Sequence, residues 1–106
     1  MIYELRQYRV KKGKMKKWVK LFEEEIVPFQ VAHGMVVAAS FTAIEKAEQF
    51  VWLRRFKNKA QRTRLYRKVY ESEHWKKVLL PKVDAVLDRA AIVTTLMSPT
   101  PRSVLQ

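Results

Sequence analysis

The sequence predicts an α+β protein of the ferredoxin-like type, in which a four-stranded antiparallel sheet carries helices on one face. Four segments have the length and β-forming composition of strands, and two longer segments carry apolar residues at helical spacing. Their order along the chain is βαββαβ, the split βαβ pattern. A chain of 106 residues with 48% apolar content suits one such domain. We take residues 1–98 as the domain and residues 99–106, which contain two prolines, as a C-terminal tail.

Residues 2–10 predict the first strand, and the first helix is expected from Lys14 onwards. The strand segment is rich in β-forming residues, and Gly13 marks the turn after it. Pro28 lacks a backbone donor and is expected to kink the helix, while Gly34 is expected to end it. Spacing by three or four places the apolar residues on one stripe: Met15, Trp18, Val19, Phe22, Ile26 and Phe29.

Three further segments predict the remaining strands. Residues 35–42 and 49–56 are nearly continuous apolar runs of strand length, joined by the polar segment 43–48. We expect them to be antiparallel neighbours. Residues 91–97 are the predicted last strand.

A broken helix is predicted between the third and fourth strands. Asn58 followed by Gln61 resembles a capping box, and Ser72 with Glu73 resembles a second cap. Pro81 interrupts the pattern after this second cap. The apolar residues at helical spacing are Ala60, Leu65, Tyr66, Val69 and Tyr70, and then Trp75, Val78, Leu79, Val83, Val86 and Leu87.

The second face of the predicted sheet also needs a cover. Strands two and three are apolar on both faces, so a bare face would expose more apolar surface than a monomer usually does. A second copy of the chain is the simplest cover, and we therefore predict a homodimer in which two sheets face each other.

Composition excludes several classes of chemistry. The absence of cysteine rules out disulfides and thiolate chemistry and favours an intracellular, cytoplasmic location. Only His33 and His74 supply imidazole, and a zinc or other metal site is not expected. With two glycines the chain has no glycine-rich phosphate loop, and we expect no bound cofactor. No signal peptide or membrane-spanning segment is expected.

The net charge of +12 is unevenly distributed. Residues 1–22 hold 8 basic and 1 acidic residue, and residues 54–82 hold 11 basic and 2 acidic residues. One interpretation is a basic surface that recruits a nucleic acid, an anionic membrane or an acidic partner. The other is a solvated helix face that keeps the protein in solution. Non-specific binding to polyanions at low salt is expected in either case.

Alternation along the predicted strands places charged and aromatic side chains on one face. These are Glu4, Arg6 and Tyr8 on the first strand, and Trp52, Arg54 and Phe56 on the third. If the two faces coincide, they form a half-buried site. In a catalytic interpretation Arg6 and Arg54 bind an anionic or carbonyl-bearing ligand, Glu4 is a base, and Tyr8 donates to an oxyanion. In a structural interpretation Glu4 neutralises one of the arginines across the dimer interface.

Several motifs of the chain resemble those of the NIPSNAP family, within the dimeric α+β barrel superfamily. They are Tyr3-Glu4-Leu5-Arg6-Gln7-Tyr8-Arg9, Gly13 with Trp18, Ile26-Val27-Pro28-Phe29-Gln30, Phe50-Val51-Trp52-Leu53-Arg54-Arg55-Phe56, and Tyr70-Glu71-Ser72-Glu73-His74-Trp75. The resemblance extends from residue 2 to about residue 105. The chain departs from the family's usual Pro-Gly at Lys12-Gly13, and it is basic at several positions around the second helix that are usually acidic.

This resemblance implies a small protein of uncharacterised function, and we expect it to bind a small apolar or anionic ligand in a pocket between sheet and helices. The residues expected to line it are Trp52, Phe56, Tyr66, Tyr70, His74 and Trp75. The superfamily also contains cofactor-independent oxygenases, isomerases and cyclases, which leaves catalysis as an alternative, and a scaffold with a basic surface is another. Haem-degrading relatives use a helix histidine near the position of His74, but the surrounding sequence does not otherwise resemble theirs, and a polar surface residue is the simpler assignment.

Overall fold

The computed structural model describes all residues from 1 to 106 and contains one four-stranded antiparallel sheet. Its strands are β1 (Ile2–Val10), β2 (Val36–Thr42), β3 (Gln49–Phe56) and β4 (Leu87–Met97). They lie in the order β2-β3-β1-β4, so β1 and β3 are the central strands. The predicted ferredoxin-like α+β fold is confirmed.

Two helical segments cover one face of this sheet. The first consists of α1 (Met15–Leu21), a π-helical turn (Phe22–Ile26) and α2 (Val27–Ala32). The second begins with α3 (Lys59–Tyr70) and, after a short break, continues through a π-helical turn (Trp75–Leu79) into α4 (Leu80–Val86).

Both π-helical turns precede a proline. The backbone N–H of Val27 bonds to the carbonyl of Phe22, five residues back, one residue before Pro28. Leu80 bonds in the same way to Trp75, directly before Pro81. Because proline has no N–H and its ring crowds the preceding turn, a wider turn accommodates it without ending the helix. A π-helical turn lies before each proline, but the helix continues through both, so the interruption predicted at Pro81 is wrong.

The predicted helix ends are also present. The Asn58 side chain accepts a hydrogen bond from the backbone of Gln61 at 2.8 Å, and Ser72 Oγ accepts one from the backbone of Trp75 at 3.2 Å. At the other end of the first helical segment, Gly34 has a φ angle of +99°, as the predicted glycine stop requires. Local sequence therefore sets these three helix boundaries.

The prediction for the last strand is wrong at its start. The strand begins at Leu87, four residues before the predicted Ala91, although the spacing of Leu87 had suggested a helix. Leu87 pairs with Val10 and Asp88 pairs with Arg9, beyond an irregularity in β1. This extension of the ladder buries Leu87 against the core and overrides its helical spacing.

The main core lies between the sheet and the helices and is largely aromatic. The rings of Trp18 and Phe22 pack on Phe50 at centroid distances of 5.6 and 4.9 Å, and Phe22 also packs on Trp52 at 5.0 Å. A smaller cluster of Met35, Phe56, Leu65 and Val69 lies at the other end of β3.

The opposite face of the sheet, which we call the outer face, carries no helix. Phe41, Val51, Gln7 and Val93 are paired in one row across all four strands. Phe41 is 58% exposed and Val93 is 53% exposed. The apolar second face expected from the sequence is therefore present.

No helix of the structure combines the length and apolar character needed to cross a membrane.

We predict that Gly34→Ala lowers the free energy of unfolding by about 1–3 kcal/mol, because an L-residue is strained at a φ of +99°. Gly13→Ala is the comparison variant: its φ of +73° is closer to the left-handed helical region that L-residues can occupy, so a smaller loss is expected. Urea unfolding of both variants measures the two losses. Equal losses would contradict a greater backbone strain at Gly34.

Candidate functional site

A buried ion pair joins the two central strands. Glu4 and Arg54 lie opposite each other in the β1–β3 ladder, and both side chains are fully buried. Arg54 Nε and Nη2 donate to the same carboxylate oxygen, Glu4 Oε1, at 2.9 and 2.6 Å. The pair lies within one chain, so Glu4 does not need a dimer interface to meet its partner.

The other side of the Arg54 guanidinium is held by helical side chains. Nη1 donates to Gln30 Oε1 at 3.0 Å and to the Tyr70 hydroxyl at 2.7 Å, and Nη2 donates to the Tyr66 hydroxyl at 2.8 Å. Its carbon lies 4.7 Å from the centre of the Trp52 ring. Burial lowers the pKa of Arg54, but the neighbouring Tyr70, Glu4 and Tyr66 raise it above its ordinary value. Arg54 is thus a permanent, fully bonded cation.

The second oxygen of Glu4 has its own partners. Oε2 accepts from Arg62 Nε at 2.7 Å and from the Tyr66 hydroxyl. Burial raises the pKa of Glu4, but the charge of Arg54, the Tyr66 hydrogen bond and the charge of Arg6 together lower it below its ordinary value. Burial also raises the pKa of Tyr66 to about 12, against the opposing effect of Arg54 and Arg6. The carboxylate is therefore ionised and the phenol neutral near pH 7.

Arg6 and Tyr8 extend this network along β1. Arg6 Nε donates to the Tyr8 hydroxyl at 2.8 Å, and Arg6 Nη1 donates to the Tyr66 hydroxyl at 3.0 Å. Burial raises the pKa of Tyr8 above its ordinary value, although the charge of Arg6 lowers it. The sequence placed Glu4, Arg6, Tyr8 and Arg54 on one face, and the structure brings the four side chains together.

A cavity of about 400 Å³ lies between this network and the helices. Its volume falls within the range of roughly 300–1,000 Å³ that is usual for small-molecule sites. The lining residues are mostly apolar or aromatic: Arg6, Tyr8, Trp18, Ile26, Gln30, Trp52, Tyr66, Tyr70, Trp75, Val83, Leu87, Arg89 and Ile92. A larger depression near Gln7, Arg9 and Lys46 contains no buried charged side chain, so the cavity under the helices is the better candidate.

The structure separates the predicted site residues into two groups. Arg6, Tyr8, Trp52, Tyr66, Tyr70 and Trp75 line the cavity. Glu4 and Arg54 lie behind its wall, and Phe56 packs in the smaller core cluster. His74 is exposed and packs against the Phe29 ring at 4.9 Å. The roles assigned to all of these residues stay predictions.

Sequence reasoning missed several lining and supporting residues. The spacing of Trp18 and Val83 predicts only that they are core residues on helical stripes. Gln30 belongs to one of the motifs that resemble the family, and no role is predicted for it, yet it is buried and binds Arg54. Arg62 was counted among the surface charges of α3, yet it binds Glu4. In the structure, no three His, Asp or Glu side chains are grouped as a metal site would require.

The sheet order and the helices on one face define the class: this is a ferredoxin-like α+β protein. A family model matches residues 3–103, and the chain belongs to the NIPSNAP family. One solved relative is described as an uncharacterised NIPSNAP domain protein and another as a NIPSNAP family protein with unknown function.

Comparison with solved structures supports the same fold. Protein Atu4242 from Agrobacterium tumefaciens is 24% identical, with 100% of each chain covered and a TM-score of 0.90. An uncharacterised NIPSNAP domain protein from Burkholderia xenovorans is 15% identical over 97% of this chain and 98% of its own, with a TM-score of 0.85. A protein described as an antibiotic biosynthesis monooxygenase is 19% identical over 95% of this chain and 100% of its own, with a TM-score of 0.68. None of the curated proteins matches this sequence.

We predict that Glu4→Gln destabilises the protein by about 3–5 kcal/mol near pH 7, because it leaves the Arg54 charge buried without a counter-ion. Asp88→Asn is the control, since it breaks an exposed ion pair with Arg9 that contributes about 0–1 kcal/mol. Chemical denaturation of the three proteins measures the loss. Equal stability of both variants would contradict a central role for the buried pair. If Glu4→Gln does not fold, Tyr66→Phe is the substitute variant, because it removes only one hydrogen bond to Glu4 and should cause a smaller loss of stability.

The same pair predicts a pH dependence. The pKa of Glu4 is lower in the folded than in the unfolded protein, so its stabilisation is complete above the unfolded value of about 4.3 and is lost as the pH falls through the folded value. The stability difference between the wild type and Glu4→Gln should therefore shrink below about pH 4. Denaturation curves at a series of pH values measure this difference. A difference that stays constant with pH would contradict the lowered pKa.

Proposed function

We propose that this protein binds a small apolar or anionic molecule in the cavity between the sheet and the helices. The observation that carries this proposal is the cavity itself, with its aromatic walls beside a buried arginine network. Ion pairing and hydrogen bonds lock the network before any ligand arrives, so its side chains lose little freedom on binding. A preformed apolar cavity with a few fixed polar groups is typical of small-molecule sites.

The geometry favours binding over catalysis. Neither a carboxylate nor a histidine lines the cavity. Glu4, the base of the catalytic interpretation, uses both oxygens for arginine and tyrosine donors and has a lowered pKa. We therefore assign Glu4 and Arg54 a positioning role. The alternative of a cofactor-independent oxygenase, isomerase or cyclase keeps support only from Arg6 and Tyr8, which are placed to stabilise an oxyanion.

We propose further that the protein forms a homodimer through its outer face. The supporting observation is the uncovered row of Phe41, Val51 and Val93, whose side chains would be removed from water by a second sheet. A two-fold axis places the same row on both copies, as such interfaces require. The ligand cavity lies on the other face of the sheet, so each protomer would retain its own.

For the cavity, we predict that the fluorescent aromatic anion 1-anilinonaphthalene-8-sulfonate binds with one site per protomer. Ile92→Trp should weaken binding at least about ten-fold, because Ile92 lines the cavity and a larger ring would fill it. Ile44→Trp is the control, since Ile44 is fully exposed in the loop between β2 and β3. Fluorescence titration measures the affinities, and a cooperative unfolding transition checks that each variant is folded. Binding unaffected by Ile92→Trp would place the dye elsewhere and contradict the proposal.

For the dimer, light scattering after gel filtration should give twice the protomer mass of 12.6 kDa. The double variant Phe41→Lys/Val93→Lys should give the single mass, because four lysines would face each other across the two-fold axis. Ile44→Lys adds a charge away from the outer face and should remain dimeric. A monomeric wild type would overturn this assignment.

A further inference from the structure

All three tryptophans of the chain line the cavity, and two of them have buried indole N–H groups without an acceptor. Trp18 and Trp52 are each 1% exposed, and no protein atom accepts a hydrogen bond from either Nε1. An unpaired buried donor costs about 1–3 kcal/mol, and folded proteins leave few such groups. Because both nitrogen atoms are buried as well as unpaired, they do not open into the cavity, and the donors available to a ligand are those of other lining residues.

Two tyrosine hydroxyls are such donors. The Tyr8 oxygen accepts from Arg6 at 2.8 Å, and the Tyr70 oxygen accepts from Arg54 at 2.7 Å. Neither hydroxyl donates to a protein atom, and an arginine can only donate. Each arginine therefore leaves the proton of its tyrosine available to an acceptor in the cavity.

These donors lie close to one another and to a positive charge. The Tyr8 ring packs against Trp18 at 5.6 Å and against Trp52 at 6.0 Å. The Arg6 guanidinium lies 5.4 Å from the centre of the Tyr8 ring and 5.9 Å from that of Trp52. The Tyr70 ring lies against Trp75, at 4.9 Å. Aromatic rings therefore surround the space that the donors reach.

Acceptors are scarce on the same wall. The only charged residues that line the cavity are Arg6 and Arg89. The oxygen of the Gln30 side chain accepts from Arg54 at 3.0 Å, and the Tyr66 hydroxyl accepts from Arg54 and donates to Glu4. A cationic ligand would meet two arginines and no counter-ion, which excludes amines by charge.

We infer that the cavity takes an aromatic carboxylate, a flat apolar molecule whose carboxylate oxygens accept from the Tyr8 and Tyr70 hydroxyls beside Arg6. This inference rests on the proposed binding function and names the chemical class of its ligand. The aromatic walls match the flat body, and the unpaired donors and Arg6 match the anion.

The test compares three probes of one shape: 2-naphthoate, the neutral 2-methylnaphthalene and the cationic 2-naphthylmethylammonium. Calorimetry should show 2-naphthoate binding at least about ten-fold more tightly than the neutral probe, because charge-assisted hydrogen bonds form only with the anion. The cation should bind most weakly. Tyr8→Phe and Tyr70→Phe should each weaken 2-naphthoate binding several-fold and leave the neutral probe unchanged. Tyr3→Phe is the matched control, since the Tyr3 hydroxyl bonds to Gln106 away from the cavity.

Nuclear magnetic resonance gives an independent readout. The chain has three tryptophans, so a ¹⁵N-labelled sample shows three indole N–H signals, which single Trp→Phe variants assign. On addition of 2-naphthoate the indole signals should shift, because all three tryptophans line the cavity and an aromatic ligand changes the magnetic environment of the rings that it contacts. Equal affinity for the anion and the neutral probe would overturn the carboxylate assignment while leaving the proposed binding function intact, and unmoved indole signals would place 2-naphthoate outside the cavity and overturn the carboxylate assignment as well. Binding of none of the three probes, together with no binding of the fluorescent anion, would overturn both.

Discussion

The buried pair of Glu4 and Arg54 is the constraint on which the rest of the site depends. Two charges taken out of water are tolerated only when their remaining hydrogen-bonding groups find partners. The partners come from outside the sheet: Gln30 from the first helical segment, and Tyr66 and Tyr70 from α3. The ion pair thereby fixes where both helical segments lie over the sheet. The cavity lies beside the helical side chains that extend to the Arg54 guanidinium.

The sequence was sufficient to predict the fold and the sheet side of this network. A strand has a period of two, so Glu4 and Arg54 could be placed on inward faces that meet if the two strands are neighbours, as they are. That Glu4 pairs with Arg54 within one chain, and not with an arginine across a dimer interface, was not predicted. The helix side was not predictable in the same way. Gln30 and Arg62 lie 24 and 58 residues from their respective partners Arg54 and Glu4, and helical spacing alone does not say which residues reach a buried charge. The start of β4 was predicted wrongly for a related reason, because pairing with β1, and not local residue spacing, determines where the strand begins.

The same network also explains why the site favours binding. A general base needs a free lone pair and access to the ligand. Both oxygens of Glu4 are engaged, and the carboxylate lies behind the cavity wall. What the network delivers to the cavity instead is hydrogen-bond donors, since arginines that donate to the tyrosine oxygens leave the tyrosine protons unused. A fully paired Glu4–Arg54 network and a donor-rich cavity are thus two results of one arrangement.

The net charge of +12 bears on the cavity as well as on the surface. A positive field draws anions of every size towards the protein, and low-dielectric walls concentrate it in clefts. Large polyanions meet the exposed basic residues of α3, whose contribution falls with salt. A small anion bound in the cavity, as proposed, would also gain affinity from aromatic walls and hydrogen-bond donors that salt screens much less. On this proposal, salt-sensitive binding at the surface and more salt-resistant binding in the cavity would be separable properties of one basic protein, because only the cavity can select ligands by shape.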